Sequence, residues 1–261
     1  MDYKGKACIV TGSSSGVGAA TALALSRAGA SVMINYSRSA EAAETVAGQC
    51  REAGAADVIV VRGDVASDAD CRALAAAAVE RWGRIDVLVN NAGTTKFVPV
   101  ARLEGISAED FHSIYSVNTI GVFQMVRACE KALRASGGSV VNVSSIAGQD
   151  GLGSSIAYVS SKGALNALTI ALARALGPEV RVNAVLPGFI ETGWLQAGLG
   201  GAYEAAHRAY RNQSALEAVL TPDDVADAIL GLIGARKITG QLVRVDAGKQ
   251  LGRSPGLKPV E

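Results

Sequence analysis

Seven short apolar runs, alternating with alanine-rich stretches, constrain the fold of this chain more than any other sequence feature. The runs are continuous rather than alternating with polar residues, which is typical of parallel strands covered by helices on both faces. The predicted strands span residues 7–11, 31–35, 57–62, 87–90, 139–143, 181–186 and 242–245. The predicted helices span residues 16–28, 39–53, 68–82, 108–135, 155–176 and 222–234.

This alternation continues from residue 6 to residue 247 without a linker or a shift in composition. It predicts one α/β domain over 1–261, with a doubly wound, seven-stranded parallel sheet and right-handed crossovers. Two segments fall outside the alternation. Residues 189–215 are interpreted as a substrate-loop insertion, and residues 249–261 as a C-terminal tail.

Composition narrows the class of protein. Hydrophobic residues make up 49% of the chain, and the formal net charge is +1, so no basic excess favours a nucleic acid or an anionic membrane as a partner. The cysteines show no metal-ligand spacing and fit a reducing cytoplasm. We expect no metal, and no signal peptide or membrane span is indicated. The four cysteines are Cys8, Cys50, Cys71 and Cys129.

The first predicted strand leads directly into the sequence TGSSSGVG at residues 11–18 and then into a helix. Glycine permits a tight turn and a close approach of the backbone to a pyrophosphate, which the free N–H groups of the helix N-terminus would then bind. The glycine spacing is GxxxGxG rather than GxGxxG. An ordinary strand-to-helix turn is the alternative interpretation.

The same residues also match G-x-S-x-G with Ser14 at the centre, the nucleophile elbow of serine hydrolases. A hydrolase would need an acid and then a histidine later in the chain. The only histidines are His112 and His207, and neither lies in an obvious loop after a late strand. We interpret both histidines as surface or packing residues.

The residue that contacts the adenosine ribose is expected at the end of the second strand, where the chain has Tyr36, Ser37 and Arg38. An acidic residue there would favour NAD, and none is present. A guanidinium can hold a 2′-phosphate through two hydrogen bonds. The segment therefore favours NADP(H), with NAD(H) as the alternative if Arg38 is only a solvated charge.

Tyr158 and Lys162 are four residues apart on the predicted helix 155–176, so their side chains share one face. A neighbouring ammonium lowers the pKa of a tyrosine and makes it a usable acid–base group. Ser145 follows the fifth strand, at the sheet edge where ligands bind in open α/β sheets. Its hydroxyl could hydrogen-bond the reacting oxygen. A surface Tyr–Lys pair is the alternative interpretation.

In order and spacing, these motifs resemble those of the short-chain dehydrogenase/reductase family, and the resemblance covers nearly the whole chain. It implies a single-domain Rossmann fold. Asn118 resembles the fourth catalytic residue of the family, beside Ser145, Tyr158 and Lys162. With the segments above, the implied cofactor-binding residues are Gly12, Ser14, Ser15, Gly16, Val17, Gly18, Tyr36, Ser37, Arg38, Asp64, Val65, Asn91, Ala92, Gly93, Tyr158, Lys162, Pro187, Gly188, Ile190 and Thr192.

The resemblance implies hydride transfer between a nicotinamide and a carbonyl or secondary alcohol carbon. Ser145 would orient the substrate oxygen, Tyr158 would exchange the proton, and Lys162 would lower the pKa of the tyrosine and bind the nicotinamide ribose. Asn118 would support a proton relay to the lysine. A ketone reductase using NADPH is the preferred interpretation. A NAD-linked alcohol dehydrogenase and a non-catalytic nucleotide sensor on the same fold are alternatives.

Among subgroups, the chain is most similar to 3-oxoacyl-acyl-carrier-protein reductases, which is a further alternative. An acidic carrier would need a basic landing patch. Four cations could supply one, although they do not match the family positions residue by residue: Arg127, Lys131, Arg134 and Arg174.

The substrate pocket is expected from residues 94–98, 148–156 and the insertion 189–215, which forms either a mobile lid or an ordinary surface helix pair. The family is usually tetrameric through the helices predicted at 108–135 and 155–176. The same quaternary structure is therefore expected here.

Overall fold

The computed structural model describes residues 3–252, and within them seven parallel strands form one sheet in the order β3-β2-β1-β4-β5-β6-β7. The predicted doubly wound sheet is confirmed. Three predicted strand ends shift by one residue, since β1 ends earlier and β2 and β6 end later. The strands are β1 (Ala7–Val10), β2 (Ser31–Tyr36), β3 (Asp57–Arg62), β4 (Val87–Asn90), β5 (Ser139–Val143), β6 (Arg181–Pro187) and β7 (Leu242–Val245).

Helices cover both faces of this sheet, as the continuous apolar strands predict. The helices are α1 (Gly16–Arg27), α2 (Ala40–Glu52), α3 (Asp68–Trp82), α4 (Ala108–Tyr115), α5 (Gly121–Ser136), α6 (Ala147–Asp150), α7 (Ile156–Leu176), α8 (Gly193–Leu199), α9 (Tyr203–Gln213) and α10 (Pro222–Gly234). Helices α1, α2 and α10 share one apolar core with the sheet. Helices α3, α5 and α7 share the other.

Local sequence explains where several helices begin. Thr221 caps α10 by accepting from the main-chain N–H of Asp224, whose carboxylate in turn accepts from the N–H of Thr221. Pro222 occupies the first turn, where its missing N–H costs nothing. Ser67 caps α3 in a similar way, through the N–H of Asp70. These caps determine where the two helices begin beside the sheet.

The prediction of one uninterrupted helix over 108–135 is wrong. A π-helical turn, Ser116–Ile120, separates α4 from α5. A Cβ at Gly121 would lie 2.8 Å from the carbonyl oxygen of Val65, so the chain passes very close to that backbone. The extra residue in the π turn is compatible with this approach and places Asn118 in the interior. The sequence did not predict this turn, because hydrophobic periodicity does not reveal one additional residue within a helix.

Helix α7 is the only helix in residues 3–252 that is long and apolar enough to cross a membrane by length and composition. It packs against the sheet and buries Leu165, Leu172 and Leu176. Its apolar character is therefore explained by the core.

The sheet order reverses direction at the pair β1–β4, which creates a crevice at the carboxyl ends of the strands. The loops that follow β1, β4, β5 and β6 all open at this edge. They carry the glycine-rich turn, Asn91, Ser145 and Gly188. Residues far apart in the chain are thereby brought to one site.

Candidate active site

The turn between β1 and α1 depends on glycines. Gly12 and Gly16 have φ values of +61° and +55°, a region that favours glycine. A Cβ at Gly12 would lie 2.9 Å from the Cα of Ala92, and one at Gly18 would lie 2.5 Å from the side-chain nitrogen of Asn91. The first and third glycines of the motif therefore allow the turn to pack closely against the loop after β4.

Hydrogen bonds join this turn to the end of β4. The hydroxyl oxygen of Thr11 accepts from the main-chain N–H groups of Asn91 and Ala92, at 3.0 Å and 3.1 Å. The amide of Asn91 donates to the carbonyl oxygens of Thr11 and Gly12, at 2.9 Å and 3.1 Å. Asn91 thus supports the turn as well as lining the crevice.

Asn35 performs a comparable role that the sequence analysis missed. It is buried at the end of β2, where its Oδ1 accepts from the N–H of Gly12 at 3.0 Å and its Nδ2 donates to the carbonyl oxygen of Gly63 at 3.0 Å. Its main-chain N–H donates to the Oγ of Ser13. The available signal was an amide side chain in an otherwise apolar strand, next to the glycine-rich turn.

A continuous cleft of about 1650 Å³ runs along the carboxyl ends of the strands. Most of the predicted site residues line it. They are Gly12, Ser15, Gly16, Val17, Ser37, Arg38, Asp64, Val65, Asn91, Ala92, Gly93, Ser145, Tyr158, Lys162, Pro187, Gly188, Ile190 and Thr192. The tertiary structure therefore brings both ends of the predicted site into one cavity.

Four of the predicted residues do not line the cleft. Ser14 is half-buried on the turn, and Tyr36 packs against the core between the sheet and α1. Gly18 lies against Asn91 and acts through close packing. Asn118 is fully buried behind the wall.

At the cleft end near β2 and β3, two guanidinium groups lie in the wall. Arg38 was predicted from sequence, whereas Arg62 at the end of β3 was missed. The Nε of Arg62 donates to the carbonyl oxygen of Ser37 at 3.3 Å. Adjacent parallel strands place Arg62 opposite Tyr36, a register that the sequence alone does not give. These two guanidinium groups are suited to hold a phosphate.

At the opposite end, Lys162 lies between the sheet and Tyr158. Its ammonium donates to the carbonyl oxygen of Val143 at 2.9 Å and lies 5.6 Å from the centre of the Tyr158 ring. Ser145 hydrogen-bonds the tyrosine hydroxyl and accepts from the N–H of Ala147 at 3.1 Å. The predicted serine, tyrosine and lysine thus converge.

The pKa of Tyr158 departs from the sequence expectation. Burial raises it above its ordinary value, and the hydrogen bond from Ser145 opposes that shift. Burial also lowers the pKa of Lys162 to about 8. The pKa of Tyr158 is therefore raised rather than lowered as expected, because burial outweighs the groups that favour the phenolate.

Asn118 holds the backbone beside this pair. Its Nδ2 donates to the carbonyl oxygen of Thr94 and to the Oγ of Ser161, and its Oδ1 accepts from the N–H of Thr94 at 2.8 Å. Ser161 in turn donates to the carbonyl oxygen of Tyr158. The π turn therefore connects the loop after β4 with the helix that carries Tyr158 and Lys162.

The insertion 189–215 folds as two helices, α8 and α9, joined by a 3-10 turn (Gly200–Ala202). The structure therefore fits the helix-pair alternative. Tyr210 donates to the carbonyl oxygen of Asp246 and occupies the space where Gly188 would carry a Cβ. His207 pairs with Glu191 at 2.7 Å and packs against Phe189, as expected for a packing residue. Neither this histidine nor His112 hydrogen-bonds Ser14 within residues 3–252, which gives the hydrolase alternative no support.

The residues fit a nicotinamide dinucleotide. Gly12 and Gly16 leave backbone exposed at the start of α1, whose cap residue Ser15 makes no side-chain capping bond and whose first turn carries no acid. The free N–H groups suit a pyrophosphate. Cations lie in the cleft wall on both sides of this turn's position, Arg38 near the end of β2 and Lys162 near the end of β5. Ribose hydroxyls and a phosphate are ligands appropriate to these groups.

Known proteins are similar to this chain in sequence and in fold. The family described as enoyl-(acyl carrier protein) reductase matches residues 12–250. A Streptomyces violaceoruber protein named for ketoacyl reduction by the granaticin polyketide synthase is 46% identical over 244 residues, covering 93% of this chain and 95% of its own. Versicolorin reductase of Emericella nidulans is 32% identical over 255 residues, with 94% and 95% covered. The crystal structure of a short-chain dehydrogenase/reductase from Burkholderia xenovorans has 42% identity and a TM-score of 0.88, with 95% and 98% covered.

The chain therefore belongs to the short-chain dehydrogenase/reductase family. It is an NAD(P)-dependent oxidoreductase that acts on carbonyl and alcohol groups. The nucleotide-sensor and serine-hydrolase interpretations are set aside on this ground.

The buried lysine yields a prediction for stability against pH. The folded-state pKa of Lys162 is about 8, below the ordinary value, so the unfolded chain binds more protons between the two values and stability rises with pH there. We expect Lys162→Met to be more stable than the wild type at pH 7 by about 2–3 kcal/mol. The advantage should shrink as the pH rises from 8 towards 10.

Urea unfolding of both proteins across this pH range measures the difference. Lys131→Met, at an exposed position on α5, serves as the control and should show no comparable pH-dependent difference. A stability difference between Lys162→Met and wild type that stays constant with pH would contradict the assignment of a depressed lysine pKa.

Proposed function

We propose that this protein is an NADPH-dependent ketone reductase in which Tyr158 gives its proton to the substrate oxygen. The observation that carries the proposal is the convergence of Ser145, Tyr158 and Lys162 in one cleft whose other end holds Arg38 and Arg62. The names of the relatives, a ketoacyl reductase and a versicolorin reductase, support the direction of reduction.

Each side chain has a defined role in the proposed reaction. When bound, the nicotinamide supplies the hydride for the carbonyl carbon. Ser145 donates a hydrogen bond to the carbonyl oxygen and fixes its position against the hydroxyl of Tyr158. The raised pKa keeps that hydroxyl protonated, as a proton donor requires. The oxygen receives this proton as its negative charge develops.

Lys162 and Asn118 support that transfer. The ammonium beside the tyrosine ring stabilises the phenolate left after proton donation, in a buried site where electrostatic interactions are strong. Lys162 would also hold the nicotinamide ribose, as in the family that the chain resembles. Asn118 fixes the backbone of Thr94 and the helix turn at Ser161, and thereby positions the lysine and tyrosine.

A free ketone is favoured over one carried by an acyl carrier protein. Two of the four cations considered as a landing patch are already paired, since Arg127 binds Asp68 and Arg134 binds Glu130 and Glu179. An acidic carrier would have to compete with these carboxylates. A cytoplasmic location belongs to the same proposal and is supported by the four cysteines, which are all buried free thiols.

Replacement of the tyrosine hydroxyl tests the function. We expect Tyr158→Phe to lower kcat for ketone reduction by about 10²–10⁴-fold, because the general acid is lost. NADPH affinity should stay within about twofold, which is under 1 kcal/mol, because the phenylalanine keeps the aromatic ring of Tyr158. The missing hydroxyl proton affects kcat and not nucleotide binding. Steady-state kinetics and nucleotide fluorescence measure the two quantities.

Tyr115→Phe is the matched control, because Tyr115 stacks on Phe111 and lies outside the cleft wall. Its turnover should equal that of the wild type. Full activity of Tyr158→Phe would reject the assigned acid.

The choice of nucleotide is a separate prediction. We expect NADPH to bind at least about tenfold more tightly than NADH, since charge-assisted hydrogen bonds contribute about 1.5–3 kcal/mol. Arg38→Ala and Arg62→Ala should each weaken NADPH and leave NADH unchanged in parallel fluorescence titrations. Arg51→Ala, an exposed arginine on α2, is the control. Equal affinities for both nucleotides in the wild type would favour a NAD-linked alcohol dehydrogenase instead.

The proposed assembly is a homotetramer through the helices at 108–135 and 155–176. Three large apolar side chains there are 40–50% exposed in the single chain: Ile120, Phe123 and Ile170. Light scattering should give four times the chain mass of 26.6 kDa. Phe123→Asp should give smaller species, because a charge at an apolar interface is costly, whereas Leu103→Asp at an exposed turn should not. A monomeric wild type would reject the proposal.

A further inference from the structure

The cleft holds aromatic side chains directly beside the proposed proton donor. Trp194, on α8, lies with its ring centre 6.4 Å from that of Tyr158. Phe97, in the loop after β4, meets Trp194 edge to face with ring centres 5.5 Å apart. Both rings line the cleft, and they form what we call the aromatic wall. Any group bound next to the reacting carbonyl lies within reach of this wall.

The position of Phe97 is fixed from two sides. Gly198 on α8 leaves the space that the Phe97 ring fills, and a Cβ at that glycine would overlap the ring. The N–H of Val98 donates to the carbonyl oxygen of Ser154 at 2.7 Å, and the hydroxyls of Thr95 and Ser154 hydrogen-bond at 2.7 Å. The loop is thus attached to the segment that precedes Tyr158. The wall is built into the site rather than placed by chance on the surface.

Trp194 leaves much of its ring available. Half of its surface is exposed although it lies in a cleft and already contacts Phe97. Its indole N–H has no hydrogen-bond partner among residues 3–252 and could donate to an oxygen on a substrate. A large aromatic side chain in this state offers a flat apolar surface with one polar edge, which suits a ring system better than a flexible chain.

We propose that the aromatic wall of Phe97 and Trp194 selects ketones whose reacting carbonyl belongs to a fused ring system with a flat aromatic ring, over saturated ketones of the same size. This inference rests on the proposed ketone reduction. Aromatic rings gain offset-stacked and edge-to-face contacts beyond those of equal apolar area. Because the wall lies beside Tyr158, the aromatic ring must be close to the carbonyl to benefit.

A matched substrate pair tests the selection. 2-Tetralone and trans-2-decalone have the same ten-carbon bicyclic skeleton and the same carbonyl position, but only 2-tetralone contains a flat aromatic ring. We expect the wild type with NADPH to reduce 2-tetralone with a kcat/KM roughly tenfold above that for trans-2-decalone, the size of two stacking contacts.

Variants that keep apolar bulk isolate the aromatic contribution. Trp194→Leu and Phe97→Leu should each lower the kcat/KM ratio of the two ketones by roughly three- to tenfold, mainly through the aromatic substrate. Trp194→Phe should retain most of the preference. Phe111→Leu, an aromatic replacement on α4 outside the cleft wall, should leave the ratio unchanged. Equal kcat/KM values in the wild type, or an unchanged ratio in both leucine variants, would overturn the inference.

Binding separates this inference from the proposed function. In a Trp82→Phe background Trp194 is the remaining tryptophan, and its fluorescence should be quenched by 2-tetralone at lower concentration than by trans-2-decalone. Selective quenching without turnover of either ketone would overturn the ketone reductase but keep the aromatic wall. Turnover of both ketones without selective quenching or rate preference would overturn the wall alone.

Discussion

The hydrogen bonds of Thr11 with Asn91, and of Asn35 with Gly12, underlie the rest of the site, since they join the ends of β1, β2 and β4 at the point where the sheet reverses direction. Side-chain amides satisfy backbone groups of the turn after β1, and the hydroxyl of Thr11 satisfies N–H groups of the loop after β4. Glycines at this turn allow the close packing that those short bonds require. The crevice that receives a dinucleotide is a consequence of this join.

The second constraint is the burial of an ionisable pair. Lys162 is buried and Tyr158 is half-buried, and the pKa of each shifts in the direction that favours its neutral form. Burial of the ammonium lowers stability, but a desolvated site strengthens the electrostatic interaction between Lys162 and the phenolate that forms during proton transfer. Hydrogen bonds from Lys162 to the β5 backbone and from Asn118 to the carbonyl oxygen of Thr94 keep the pair in position. Stability and catalysis are opposed at this lysine.

Local sequence patterns predicted some features of this protein, whereas features that depend on strand neighbours were missed. Continuous apolar runs predicted all seven strands, because burial on both faces leaves a strong composition signal. The glycine turn, Ser145, Tyr158 and Lys162 were found from local spacing and from resemblance. Arg62 and the supporting role of Asn35 were missed, since each depends on which strands lie side by side. The π turn at Asn118 was missed because periodicity does not register one extra residue.

By itself, the sequence determined the doubly wound sheet, the position of the glycine-rich turn and the side chains proposed as catalytic, because these follow from local hydrophobicity, glycine conformation and motif spacing. Only the tertiary structure decided how those residues meet. Parallel register placed Arg62 beside the Ser37–Arg38 segment, packing of α7 buried Lys162, and the insertion folded as helices that set Trp194 against Phe97 and Tyr158. Such contacts join segments distant in the chain, so their geometry depends on the packing of the whole core.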